Sequence, residues 1–324
     1  MPAPLEHQLD TGRRRIEVAR PVLDEARRRR GLLIDALKAA FPFGRVYMNG
    51  SLAHGDANAP LNDIDLGIVV GTAGLYGPGG RGPLPLMHIA ADAIRDHLKD
   101  EFPNMRVIVE GRRRAVLVSF GNPVTSGEPD FTADVIIALD NPASEGLYIP
   151  NLSIDEQWDR AHPEKHTELV LAAITATDVA FARIVRLLKH WRSHHGDPVC
   201  SWNLKALALS CITGPTSLLD GLERFFTHAT DALALGPTPD PAGVADPIRP
   251  NLPMDEVLKR FRAARDNIRA AKYHEIAGNH AHAQQALYRV LPNVIDEPDK
   301  NQLLRELIAG ATTMSATPTR AWAP

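Results

Sequence analysis

Apolar and polar residues follow two rhythms along this chain, and the change falls near its middle. Between residues 46 and 139, short apolar or β-branched runs have the length and two-residue period of strands: 46 to 48, 66 to 70, 107 to 109, 115 to 120 and 131 to 139. One helical stripe interrupts them, with Met87, Ala90, Ala91, Ile94 and Leu98 on one face of a helix over 87 to 102. From Asp155 onward the period is helical. Residues 167 to 195 read as one long helix carrying Leu169, Ala173, Ala176, Ala180, Ile184, Leu187, Leu188 and Trp191, stopped by Gly196 and Pro198. Further helices are predicted from Ser201 to the Gly214-Pro215 stop and over 217 to 235, 254 to 277, 280 to 290 and 299 to 309, with a Pro-rich loop over 236 to 253. Ahead of the strands, residues 5 to 41 read as one long helix or two in line, kinked or divided at Pro21.

This pattern predicts an α+β chain. A mixed central sheet with helices occupies residues 1 to 155, including the N-terminal spine helix, and a helical lobe occupies 156 to 312. The low-complexity tail, 313 to 324, is expected to be disordered. The arginines at 13 to 15 and 27 to 30 are read as a solvated face, and the Gly/Pro-rich stretch 71 to 85 as a mobile loop near the mouth of a site.

Composition narrows the class. A chain of 324 residues, 44% hydrophobic and 23% charged, is ordinary for a globular protein and long enough for one large or two ordinary domains. The net charge of −3 argues against a long polynucleotide partner. Two cysteines, Cys200 and Cys211, are too few for a disulfide framework or a Cys-rich zinc site, and they suit a reducing compartment. No apolar run has the roughly 18 residues of a membrane span, and no apolar signal-peptide core stands at the N-terminus. A cytoplasmic protein without membrane contact is expected.

The candidate chemistry sits between the first two predicted strands. Gly50 and Ser51 end the first, eleven residues (52 to 62) follow, and Asp63-Ile64-Asp65 opens the second. Residues i and i+2 of a strand share a face, so Asp63 and Asp65 project together while Ile64 and Leu66 enter a core. Paired carboxylates resist ionising together. A hard divalent cation relieves that, with Mg²⁺ the usual choice where phosphates supply further ligands. Gly50 lets backbone approach a phosphate, and Ser51 adds a hydroxyl donor. Asp134 stands alone among apolar neighbours in 131 to 139, where an unpaired carboxylate is costly. It is the candidate third ligand of a two-ion Mg²⁺ or Mn²⁺ site. Asp130 and Asp140 lie at the ends of that strand, where turn roles suffice. His162 and His166 are spaced like zinc ligands, but no thiol cluster accompanies them and a capping or solvated role is favoured. The stretch GPGGRG lacks the GK[ST] of a P-loop, and no nucleophile elbow is present.

The Gly-Ser turn followed by D-x-D resembles the motif of polymerase-β-like nucleotidyltransferases. Several pieces together resemble a narrower family, the bacterial cGAS/DncV-like nucleotidyltransferases (CD-NTases). They are GS at 50 to 51, DID at 63 to 65, the late Asp in ADVIIALD, GLYIPN followed by Trp158 and HPEKH, and RIVRLLKHW followed by CSWNLKALAL. DPIRPNL at 246 to 252 is a further echo, and the likeness covers most of residues 10 to 310. It implies a bilobal enzyme with nucleoside triphosphates (ATP, with GTP, UTP or CTP) bound in the cleft. Lys189 would be a point charge on the donor triphosphate, Ser201 a helix cap and phosphate donor, and Trp202 a base-stacking face. The implied product is a cyclic di- or trinucleotide, or a short linear oligonucleotide, released with pyrophosphate in anti-phage (CBASS-type) signalling. A downstream effector would bind that product, and the family leaves room for a regulatory protein partner. Asp56 departs from the pattern, since relatives commonly carry a small hydroxyl residue there. Three other readings are kept. They are an RNA 3′-terminal (CCA- or A-adding) nucleotidyltransferase, an enzyme modifying a protein or small drug, and a non-catalytic nucleotide-binding sensor.

Overall fold

The computed structural model describes residues 4 to 314. Two helices, α1 (Leu5–Arg15) and α2 (Arg20–Ala40), lead into a seven-stranded sheet. Its strands are β1 (Arg45–Asn49), β2 (Asp63–Thr72), β3 (Arg106–Ile108), β4 (Val116–Ser119), β5 (Thr132–Asp140), β6 (Leu147–Pro150) and β7 (Trp158–Ala161). The order is β1-β2-β5-β4-β3, with β6 added to β5 and β7 to β6. Only β2 and β5 run parallel, side by side at the centre, and their register sets Asp65 opposite Asp134.

The short α3 (Gly50–His54) joins β1 to β2, and α4 (Leu84–Leu98) joins β2 to β3. All five stripe residues of α4 are buried. They pack with Leu33 and Leu37 of α2 and with Ile64, Leu66 and Ile68 of β2 into one core. The rest of the chain is helical: α5 (Pro163–Ala176), α6 (Ala180–His194), α7 (Ser201–Cys211), α8 (Leu218–Leu235), α9 (Met254–Ile276), α10 (His280–Val290) and α11 (Lys300–Met314). A second core gathers Trp191, Phe225, Phe226 and Phe261, and it takes in Leu5 and Leu9 of α1. The N-terminal segment therefore divides: α1 packs with the helical lobe and α2 with the sheet. Pro21 sits in the first turn of α2, where its missing N–H costs nothing.

Several expectations are corrected. Residues 167 to 195 form two helices rather than one, because Asp178 (φ 48°) and Val179 (φ 61°) turn left-handed. The Thr177 hydroxyl then accepts the Phe181 N–H at 3.0 Å and starts the second helix. Strands β6 and β7 were not foreseen as strands.

The arginine run 27 to 30 is not wholly a solvated face, since Arg29 is 1% exposed. Its guanidinium donates to Glu25 at 2.7 Å, Asp130 at 2.8 Å and the Asn122 carbonyl at 2.5 Å. It also stacks 4.7 to 5.2 Å from the rings of Phe102, Phe120 and Phe131. Arg13 is buried as well, between Asp10 and Glu17.

No residue of the stretch 71 to 85 is among those lining the cleft described below. The stretch follows the far end of β2 from Asp63 and packs near β7, with Tyr76 accepting the Trp158 indole N–H at 3.0 Å. Helix α11 carries the chain through Met314, and the remainder of the predicted tail lies outside the described residues.

Candidate active site

Alternation along β2 sends Ile64 and Leu66 into the core, 0% and 1% exposed, and Asp63 and Asp65 to the other face. The parallel register brings Asp134 of β5 beside Asp65. Ligand oxygens of Asp63, Asp65 and Asp134 lie within 4.8 Å of one another.

Gly50 begins the turn against this group. Its φ of +75° disfavours any side chain, and an added Cβ would fall 1.7 Å from Asp65 Oδ2. Burial, reinforced by Asp63 and Asp134, pushes the Asp65 carboxyl up to about 7. Burial also raises Asp134, against the pull of Arg112, which donates to Asp134 Oδ1 at 3.2 Å. Three crowded oxygen donors, one of them reluctant to ionise alone, suit a hard divalent cation. The cluster can coordinate one.

Asp63 and Asp65 open onto a cleft of about 1030 Å³, at the top of the usual range for small-molecule pockets, with Asp134 beside them. Gly50, Ser51, Asp63 and Asp65 line one side, and Lys189, Ser201, Trp202 and Lys205 of α6 and α7 line the other.

Lys189 does reach the cleft, but its ammonium is engaged, donating to the Asp56 carbonyl at 3.0 Å and to Asp56 Oδ1 at 3.3 Å. Ser201 is the first residue of α7 and not its cap. Cys200 holds the cap position, its Sγ accepting the Asn203 N–H at 3.4 Å. That leaves the Ser201 hydroxyl to accept from Arg192 at 2.5 Å. Trp202 lies against the His166 ring, centroids 4.2 Å apart, and packs at the edge of the helical core. His166 Nε2 is in turn 2.6 Å from Asp240 Oδ1. His162 accepts the Lys165 N–H and caps α5. Among the described residues, the only three-member ligand cluster is the aspartate one.

Lys205 went unpredicted, although it stands four residues after Ser201 and so on the same helix face. Asp240 could not be found from the sequence, because the Pro-rich loop that carries it has no period.

No protein-family model matches this chain, and no curated protein matches it. Solved structures do. Escherichia coli MS115-1 CdnC with ATP is 18% identical with a TM-score of 0.65, over 90% of this chain and 98% of that one. The E. coli MS115-1 CdnC:HORMA-deltaN complex gives 18% identity and a TM-score of 0.64 over the same shares. Vibrio cholerae DncV, a cyclic AMP-GMP synthase solved with the linear intermediate pppA(3′,5′)pG, is 18% identical, with a TM-score of 0.56 over 78% of this chain and 69% of that one. The chain has the polymerase-β-like nucleotidyltransferase fold. In this chain the sheet is followed by a helical lobe, α5 to α11.

Proposed function

We propose that this protein is a metal-dependent nucleotidyltransferase that joins nucleoside triphosphates into a cyclic di- or trinucleotide, or a short linear oligonucleotide, with loss of pyrophosphate. One observation carries the reading: carboxylates from β2 and β5 converge within 4.8 Å, the two of β2 lining a cleft that Lys189 and Lys205 also line. Asp63 and Asp65 would hold one cation, and all three carboxylates the other. Two Mg²⁺ or Mn²⁺ ions bound there supply activation of the acceptor hydroxyl and charge neutralisation at the leaving pyrophosphate.

The chain's own residues do the rest. Gly50 keeps the approach to Asp65 clear, and Ser51 offers its hydroxyl to phosphate oxygen. Lys189 and Ser201 hold the triphosphate from the helical side. Trp202, seated on His166, stacks a base, a contact worth about 1–3 kcal/mol in single-strand binders. Arg112 occupies Asp134 Oδ1. That bond fixes the carboxylate beside Asp65, where it contributes to the cation site and takes the proton of the attacking 2′- or 3′-hydroxyl.

The likeness to CdnC and DncV supports a place in anti-phage signalling, with an effector that binds the product. The HORMA complex of CdnC supports a protein partner here. No helix among the described residues is long and apolar enough to cross a membrane, and a cytoplasmic location goes with this reading.

The test is incubation with all four NTPs and Mg²⁺ or Mn²⁺, then phosphatase and mass analysis. A phosphatase-resistant oligonucleotide, absent from Asp65→Asn, is the expected result. Elongation of labelled tRNA instead would establish the RNA-adding alternative, and no metal-dependent pyrophosphate release would leave a binding protein.

A further inference from the structure

The residue that departs from the family pattern, Asp56, lies at the centre of a buried charge cluster. It is 0% exposed and does not itself line the cleft, whereas Lys189, Lys205 and His54 around it do. Lys189 reaches it from α6 through the two bonds given above. Lys205 reaches it from α7, its Nζ 2.9 Å from Oδ2 and off the direction of a hydrogen bond, so that oxygen keeps no aligned donor.

The Lys205 ammonium also donates to His54 Nδ1 at 2.8 Å. The proton inventory follows from the next partners. The Thr167 hydroxyl donates to the Met48 carbonyl at 3.1 Å, so it accepts from His54 Nε2, also at 3.1 Å. His54 therefore carries its proton on Nε2 and presents a lone pair to Lys205. Burial and the neighbouring ammonium push His54 down to about 3, so it stays neutral. Two ammoniums thus share one carboxylate, and the cluster holds one positive charge in excess. Each lysine has three donors and spends two at most on these partners, which leaves one facing the cleft.

We infer that Asp56 is a positioning residue: the buried counter-ion that holds Lys189 and Lys205 together on the cleft wall, so that a triphosphate meets a two-lysine site. This rests on the reading of the cleft as a nucleoside-triphosphate site. Lys205 is then a second phosphate-binding cation, and the excess charge is completed by the ligand.

Two like charges side by side in a partly desolvated place depress each other's basicity. Burial already lowers Lys189, and Asp56 holds it up. Burial pushes the Asp56 carboxyl up, and the two ammoniums more than offset that, leaving it below its ordinary range. The other charged or titratable groups facing the cluster are Arg186 on α6, His166 on α5, and Asp63 and Asp65 on β2. None of them bonds to either ammonium among the described residues.

The experiment measures binding of ATP and of inorganic tripolyphosphate in EDTA, by calorimetry, from about pH 6.5 to about pH 9.5, a range that spans depressed lysine values. The proteins are the wild type, Asp56→Asn, Lys205→Met and the double variant. Without its counter-ion Lys189 loses its proton at lower pH. The affinity of Asp56→Asn should therefore fall earlier as pH rises, to about tenfold below wild type at the alkaline end, one pKa unit being about tenfold. Lys205→Met should bind both anions about tenfold more weakly, since Asp56 then neutralises the remaining lysine. The double variant, relieved of the like-charge neighbour, should regain the wild-type pH curve at lower affinity.

A uniform weakening of Asp56→Asn with an unshifted pH curve would mean that Asp56 only ties the lobes together, and overturns the inference. So would wild-type affinity in Lys205→Met, which decides the matter if Asp56→Asn does not fold. If the wild type binds neither anion, the triphosphate reading falls as well. If it binds them and the variants follow it, only this inference falls. Turnover is not measured, so a failure to form product leaves the result standing.

Discussion

Two charge clusters, one behind the sheet and one at the head of its central strands, are built on opposite principles. Arg29 is almost fully enclosed, yet every face is answered by Glu25, Asp130, the Asn122 carbonyl or one of three phenylalanine rings. Glu25 is held down to about 2 by hydrogen bonds from Arg28 and Arg29, which outweigh its burial. At the other cluster three carboxylates crowd together. Asp65 is pushed up to about 7, with no donor bonded to it among the described residues. A charge network that closes on itself holds the fold. One that is left open marks where something else is to bind.

The contrast breaks first, and most, on activity. Asp65→Asn removes a ligand while keeping shape, and nucleotide joining should fall by about 10⁴-fold, the scale of losing a principal catalytic group. Product formation measured by mass analysis checks this, and near-normal turnover would end the assignment. Arg29→Met makes the opposite case. It leaves the half-buried Asp130 without its cation and Glu25 with Arg28 alone, and breaking such a pair costs about 3 kcal/mol. Chemical denaturation should show that loss, while turnover per folded molecule stays near wild type because Arg29 touches nothing in the cleft. A large turnover defect in correctly folded Arg29→Met would mean that the closed network also serves the site.

The open cluster was far more legible in the sequence than the closed one. Period-two alternation put Asp63 and Asp65 on one face, and the expense of a lone carboxylate in FTADVIIAL singled out Asp134. Which strands pair is not written in either run, so the 65-to-134 register had to come from the fold. Arg29 was misread because four consecutive arginines look like a solvated face. The partners that bury it, Asp130 and the three phenylalanines, lie far along the chain, and Asp130 seemed sufficiently explained as a turn residue. The break at Asp178 and Val179 carries no glycine or proline to announce it. Lys205 was not singled out, because its partners, Asp56 and His54, lie about 150 residues earlier in the chain and nothing in its own helix points to them.

A finer probe separates the shape of the open cluster from its charge. Gly50→Ala keeps all three carboxylates but places a Cβ within 1.7 Å of Asp65 Oδ2, on a backbone with φ of +75°. Either the carboxylate or the turn must move. A displacement near 1 Å in a reacting group costs about 10²-fold in rate. Product formation should fall by that factor, with a loss of about 1–3 kcal/mol in stability from the strained backbone. Wild-type turnover would show that the turn can shift without carrying Asp65 along, and that the close approach is incidental.

The smallest effect concerns stability alone, and its sign is what distinguishes the two clusters. Removing charge from the closed network destabilises, whereas removing it from the open one should stabilise. The folded Asp65 carboxyl titrates near 7, and an unfolded one titrates near 3.9. Its protonation therefore favours the folded state, and its stability contribution, fully present below about pH 4, is lost as pH rises through about 7. Histidines held neutral by burial, His54 among them, act in the opposite sense over part of this range. They are common to both proteins and cancel in a comparison of Asp65→Asn with wild type. In EDTA the variant should melt progressively higher than wild type as pH climbs from about 4, and the gap should level off above about 7. For a carboxylate facing a water-filled cleft the gap is about 1–2 kcal/mol, or a few degrees in Tm. Adding Mg²⁺ at pH 8 should close it by stabilising wild type and not the variant, since the cation takes the place the proton held. A gap that is absent or reversed in EDTA would mean that a donor already satisfies Asp65, and that the open cluster is closed after all.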